Sequence, residues 1–114
     1  MVVAMLEQLG YTASSCSDGK EAVDLHAASL EHGRPFAAII LDLTVPGGIG
    51  GKEAAVLIRK TDPKVPLIVS SGYSDDAVVT AYREHGFSGA VAKPYTLRVL
   101  ASELARVIRE RDRG

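Results

Sequence analysis

The run Phe36-Ala37-Ala38-Ile39-Ile40-Leu41-Asp42, followed by Leu43-Thr44-Val45-Pro46-Gly47-Gly48-Ile49-Gly50-Gly51, decides how this chain folds. Its apolar part is too short for a helix and shows no polar face, so it reads as a strand buried on both sides of a sheet. The strand breaks at a carboxylate and passes into a loop rich in proline and glycine. Two further segments follow the same scheme with other polar groups. Val65-Pro66-Leu67-Ile68-Val69 ends at Ser70-Ser71, and Gly89-Ala90-Val91-Ala92 ends at Lys93. As neighbouring parallel strands they bring an Asp, a Ser and a Lys to the carboxyl edge of one sheet, where open α/β sheets place their chemistry.

Helical patterns fill the intervals. Val2, Met5, Leu6 and Leu9 share one helical face, and Gly10 supplies a stop. Tyr11 to Cys16 reads as a short, weak strand. Asp18 and Glu21 have capping-box spacing, and the face of Val23, Ala27 and Leu30 runs to about Glu31. His32-Gly33-Arg34-Pro35 is a turn. Ala54, Leu57 and Ile58 mark the next helix, which ends at Asp62-Pro63 because the residue before proline avoids helical geometry. Ser74 caps a helix carrying Val78, Ala81 and Tyr82 and closed by Gly86. Thr96 caps a last helix with the stripe Leu97, Leu100, Ala101, Leu104 and Ile108. This alternation predicts a parallel sheet with helices on both faces. The chain opens in a helix, so the first strand-helix unit lacks its strand.

Composition narrows the function. With 114 residues and 46% apolar content the chain is sized for one domain, 1–114, with a real core. Thirteen basic against fourteen acidic residues give a net charge of -1, which offers no basic excess for nucleic acid or anionic membrane. One cysteine, Cys16, forms no internal disulfide, and no apolar run approaches the roughly 18 residues of a membrane span. These features predict a soluble cytoplasmic domain without direct membrane contact. Cys16 is expected to be buried and inert, and His26, His32 and His85 to be ordinary histidines, since their spacing suits no metal. Arg106, Arg109, Arg111 and Arg113 alternate with acids and read as a solvated helix end.

The ordered motifs resemble the receiver domain of two-component response regulators, over about Val2 to Ile108. Ile40-Leu41-Asp42 with its Pro46-Gly47 loop is similar to the phospho-acceptor segment, Ser71-Gly72 to the hydroxyl and small residue after the fourth strand, and Lys93-Pro94-Tyr95 to the Lys-Pro-aromatic signature after the fifth. The intervals, 29 residues from Asp42 to Ser71 and 22 from Ser71 to Lys93, make the combination specific. The resemblance implies a flavodoxin-like doubly wound sheet of order 2-1-3-4-5 with its first strand missing from this chain. It also implies a cis Lys93-Pro94 bond.

Function by this resemblance is phosphoryl transfer from a histidine kinase or histidine phosphotransfer domain onto Asp42. Lys93 and Ser71 would face the phosphoryl group, with at most self-phosphorylation and self-dephosphorylation as enzymatic activity. Mg²⁺ would be held by Asp42, the backbone carbonyl of Thr44 and an acidic pair expected before Met1. An aspartyl nucleophile attacking a phosphoryl group needs such cations, because two negative charges are brought together. Ser70 reads as core-facing or backbone-bonded, and the glycines of the loop as residues permitting positive φ. Ala90 stands where many relatives carry an aromatic reporter, leaving Tyr73 or Tyr95 as substitutes. The loop after Asp42 and the Ser70-Ser71-Gly72-Tyr73 run most resemble receivers of hybrid sensor histidine kinases. A pseudo-receiver that binds partners without phosphorylation is the alternative. An aspartate phosphohydrolase would want a second Asp at Thr44, and a flavodoxin a phosphate loop after a first strand. Destabilisation or self-association is also expected, because a missing central strand exposes two strand edges and a strip of core.

Overall fold

The computed structural model describes residues 2–16, 18–43, 50–72 and 77–113. Three parallel strands, β1 (Ile39–Asp42), β2 (Leu67–Ser71) and β3 (Gly89–Ala92), form a sheet of order β1-β2-β3. The helices are α1 (Val2–Gln8), α2 (Gly19–Glu31), α3 (Gly51–Thr61), the single turn α4 (Ala77–Thr80) and α5 (Leu97–Arg113). A 3₁₀ turn, Tyr82–His85, follows α4.

Strand alternation divides the core in two. Leu41, Leu67 and Val69 point to one face, where Ala54, Ala55 and Ile58 of α3 and Ala22 of α2 cover them. Ile40, Ile68 and Val91 point to the other, against Leu100, Leu104 and Val107 of α5 and Leu6 of α1. Helices on both faces of a parallel sheet are the doubly wound arrangement expected from the sequence.

Local signals hold at several ends. Asp18 caps α2, its carboxylate accepting the Glu21 N–H at 2.9 Å. Gly10 closes α1 at φ 93°, the left-handed region where glycine costs least. Thr96 Oγ1 accepts the Val99 N–H at 3.1 Å at the start of α5. The Lys93-Pro94 bond is cis.

Other expectations need correcting. Tyr11 to Cys16 is not a strand, because no strand lies beside it among the described residues to complete a ladder. Cys16 is consequently exposed. Partial desolvation, with the carboxylates of Glu21 and Asp18, raises its thiol pKa, so the reactive thiolate is disfavoured. β1 starts at Ile39, where the first ladder bond from Ile39 N–H to Pro66 O forms, and not at Phe36. The helix before Gly86 breaks at Ala81, after the β-branched run Val78-Val79-Thr80, which is stiff in helical geometry. The Ser74 cap expected there lies outside the described residues. Leu57 and Leu97 are exposed, whereas Val107 is fully buried and completes the α5 stripe.

The amino ends of β2 and β3 are held by one side chain. The Arg59 guanidinium donates to the carbonyls of Gly86 (2.8 Å), Asp62 (3.1 Å) and Val65 (2.7 Å) and reaches Ser88 Oγ at 3.4 Å. Nearby, the buried His26 places Nε2 3.0 Å from Asp62 Oδ2, tying α2 to the end of α3. Partial burial opposes the Asp62 charge, but the hydrogen bond from His26 and the N–H groups of Lys64 and Val65 outweigh it, so its pKa is lowered.

At the far edge, α5 seals β3. Glu103 accepts the Ala90 N–H at 2.8 Å, and Arg106, also bonded to Glu103 and Glu110, donates to Ser88 O at 3.1 Å. Arg106 is therefore a structural link and not part of a merely solvated helix end. A side chain at Gly89 would collide with Glu103 and Val107.

Arg59→Met is expected to destabilise the fold by about 2–3 kcal/mol, since it strands three carbonyls. Arg59→Lys should recover less than half of this, because an ammonium cannot span the fork. Urea unfolding of both variants measures the effect, and a loss below about 0.5 kcal/mol for the methionine variant would discount the clamp. A carboxyl with a lowered folded pKa contributes stability that is complete above its unfolded value of about 3.9 and is lost as pH falls through the folded value. Asp62→Asn should therefore be less stable at neutral pH and show a shallower acid limb below about pH 4. An acid limb identical to wild type, read from urea midpoints against pH, would contradict the assignment.

Candidate functional site

The register brings the strand ends level. Asp42 pairs with Ser70 across β1 and β2, and Ser71 with Ala92 across β2 and β3. One residue beyond β3, Lys93 donates its backbone N–H to Ser71 O at 2.7 Å. Its ammonium crosses β2 to the Asp42 carboxylate and forms an ion pair with Oδ2. The two side chains are 37% (Asp42) and 44% (Lys93) exposed, so solvent screens the pair and it contributes little to stability.

Small residues bring α3 up to the site. A Cβ on Gly51 would lie 2.7 Å from Asp42 O and 3.1 Å from Leu41 Cβ, and one on Gly50 would lie 2.9 Å from Leu43 O. Gly50 has φ −79°, so close approach explains the glycines here, and not the positive φ expected from sequence. Gly47 and Gly48 lie outside the described residues, as do Thr44 and Tyr73.

A cavity of about 310 Å³ runs along the open edge of β1 and ends at the ion pair. Leu6, Tyr11, Ile40, Leu104 and Ile108 form its apolar walls, and Asp42, Ser70, Lys93 and Tyr95 its polar end. Burial is the main reason the Tyr95 phenol pKa is raised; nearby Ser70 and Lys93 oppose it, and the Asp42 charge adds a smaller rise.

The structure thus brings Asp42 and Lys93 together as the sequence suggested. Ser71 stands at the same rim, fully buried, but strand alternation gives its side chain the face of Leu67 and Val69. Ser70 shares the face of Ile68 and lines the cavity with Asp42. Among the described residues no group of three or more His, Cys, Asp or Glu side chains forms a metal site. Asp42 is the one described carboxylate lining the cavity, and Mg²⁺ is usually held through one or two carboxylates with waters completing its shell.

The sequence profile of the response regulator receiver domain matches residues 1–105. The chain belongs to that family. It is 33% identical over 110 residues to ethylene receptor 2 of Arabidopsis thaliana, covering 95% of this chain and 14% of that protein. It is 32% identical over 108 residues to transcriptional regulatory protein AfsQ1 of Streptomyces coelicolor, covering 95% of this chain and 45% of that one. The chain spans less than half the length of these curated relatives. Among solved structures it is similar to the receiver domain of sensor histidine kinase PA1611 from Pseudomonas aeruginosa PAO1, with TM-score 0.78, 29% identity and coverage of 95% of this chain and 85% of that one. That structure holds a magnesium ion coordinated in the active site cleft. A receiver of two-component signalling is therefore the general assignment, with the flavodoxin-like fold expected of it.

Sequence reasoning missed Gly51 as a contact residue and Ser70 as a cavity residue. The pairing of Ser70 with Asp42 was the available signal, once the lengths of the two strands were known. Gly51→Ala is expected to cost about 1–3 kcal/mol, because its methyl meets backbone and not a flexible side chain. Urea unfolding checks the loss, and an unchanged midpoint would mean that α3 can retreat from Asp42.

Proposed function

We propose that this receiver accepts a phosphoryl group on Asp42 within a two-component phosphorelay. The observation that supports it is the Asp42–Lys93 ion pair at the carboxyl rim of the sheet. A donor phosphohistidine would come from a histidine kinase or a histidine phosphotransfer domain. An Asp42 oxygen attacks phosphorus, the N–P bond breaks, and the imidazole leaves with the bonding pair and takes up a proton. A new O–P bond makes the acyl phosphate. Lys93 is already placed to neutralise charge gathering on the phosphoryl oxygens. Water attack on the same phosphorus would return the carboxylate, the most this domain does as an enzyme.

Mg²⁺ belongs to this proposal as the ion that offsets the remaining charge. Asp42 would be one ligand, Thr44 would offer its carbonyl, and an acidic pair on a strand ahead of Met1 would supply the rest. The support for such a strand is the cavity beside β1, whose walls are apolar along its length and polar at the Asp42 end. The domain 1–114 would then be the larger part of a receiver of the kind attached to hybrid sensor kinases, working in the cytoplasm. No described helix is long and apolar enough to cross a membrane.

A pseudo-receiver reading draws on one observation, that the described residues alone form no metal site. Incubation with phosphoramidate and Mg²⁺ separates the two readings. The chain, and the chain extended at its amino terminus by an apolar strand carrying an Asp-Asp pair, would be followed by intact mass. We expect labelling of the extended chain, its loss in Asp42→Asn, and at least a hundredfold slower labelling in Lys93→Met, in keeping with the removal of one fixed charge at the reacting group. Lys93→Met should shift stability by less than about 1 kcal/mol. An extended, folded chain that takes no label would favour the pseudo-receiver.

A further inference from the structure

Ser70 carries a polar atom that the fold leaves unused. Its residue is 2% exposed, and its Oγ has no hydrogen-bond partner, the one such side-chain atom among the described residues. Leaving a buried hydroxyl unpaired is unfavourable, and proteins retain such groups mainly where something else comes to pair with them. The Tyr95 phenol stands close enough to feel Ser70 but does not reach hydrogen-bond geometry.

The position of that hydroxyl is informative. Ser70 is the register partner of Asp42, and the alternation of parallel strands sends both side chains to the same face. Both line the polar end of the 310 Å³ cavity, with Lys93 completing it. A donor-capable hydroxyl, a cation and a nucleophilic carboxylate therefore open onto one space. A phosphoryl group on Asp42 would bring to that space oxygens that need hydrogen-bond donors, and Lys93 is a single ammonium.

We infer that Ser70 is a phosphoryl-facing hydroxyl, donating from Oγ to an oxygen of the group carried by Asp42 and acting alongside Lys93. This rests on the acceptor reading above and adds to it a residue that the motif resemblance does not assign. The hydroxyl is held by a fully buried strand, so it is already oriented when the phosphoryl group arrives, as preorganised donors are.

The test uses Ser70→Ala and Ser70→Thr in the extended chain, with phosphoramidate labelling, urea unfolding, and titration with inorganic phosphate followed by amide NMR. Ser70→Ala should keep or raise the unfolding midpoint, since it deletes an unpaired buried group. Its labelling rate should nevertheless fall about tenfold or more, as for loss of a hydrogen bond to a charged oxygen. Ser70→Thr should restore most of the rate. Labelling of Ser70→Ala at the wild-type rate overturns the inference, and so does a loss of rate matched by a loss of folded protein. If wild type takes no label, the acceptor reading falls on its own account. The inference then survives only if phosphate shifts the Ser70 and Lys93 amides of wild type and leaves those of the alanine variant still. Equal responses would end it.

Discussion

Parallel register is the constraint on which everything else in this molecule depends. Ile39 opposite Leu67, and Ile68 opposite Gly89, fix where each strand stops. A slip of one residue would exchange the faces of every side chain on a strand. The slip is prevented because both faces are covered, by Ala54, Ala55 and Ile58 on one side and Leu100, Leu104 and Val107 on the other. The meeting of a carboxylate from β1 with an ammonium from beyond β3 follows from that register, with the loop after β3 adding the last reach.

The densest side-chain bonding and the open, polar rim occupy opposite ends of the sheet. At the amino ends, Arg59 gathers three carbonyls and His26 pairs with Asp62, with buried or half-buried partners. At the carboxyl ends lie a screened ion pair, an unpaired hydroxyl and a cavity. Such an arrangement lets charge change at Asp42 without loosening the strands beneath it. Tyr95 is a described aromatic at that end, its phenol pKa raised mainly by burial and to a lesser degree by the Asp42 charge.

Much of this was legible in the sequence, for identifiable reasons. Uninterrupted apolar runs ending in single polar residues marked β1, β2 and β3, because a strand buried on both faces leaves no other pattern. Asp18 and Thr96 announced their helices through side-chain oxygens that act locally. What failed was non-local. Tyr11 to Cys16 has strand-like composition, but a strand exists only beside a partner. Gly51 looked like a turn residue because nothing in its neighbourhood reveals that α3 presses onto the Asp42 carbonyl. Arg106 looked solvated because its target, Ser88 O, lies 18 residues away in sequence. Ser70 and Ser71 are adjacent, and only the pleat tells which of them shares a side with Asp42.

The two margins of the sheet are unlike. On β3, the outward-pointing amide of Ala90 and carbonyl of Ser88 are taken up by Glu103 and Arg106 of the molecule's own last helix. On β1, alternation of the ladder turns the Ile40 backbone groups away from β2, toward the cavity wall. Enlargement of this sheet is thereby directional: an additional strand finds its hydrogen-bonding template beside the carboxylate and is refused it at the opposite border. A strand that extends the sheet would therefore lie beside Asp42.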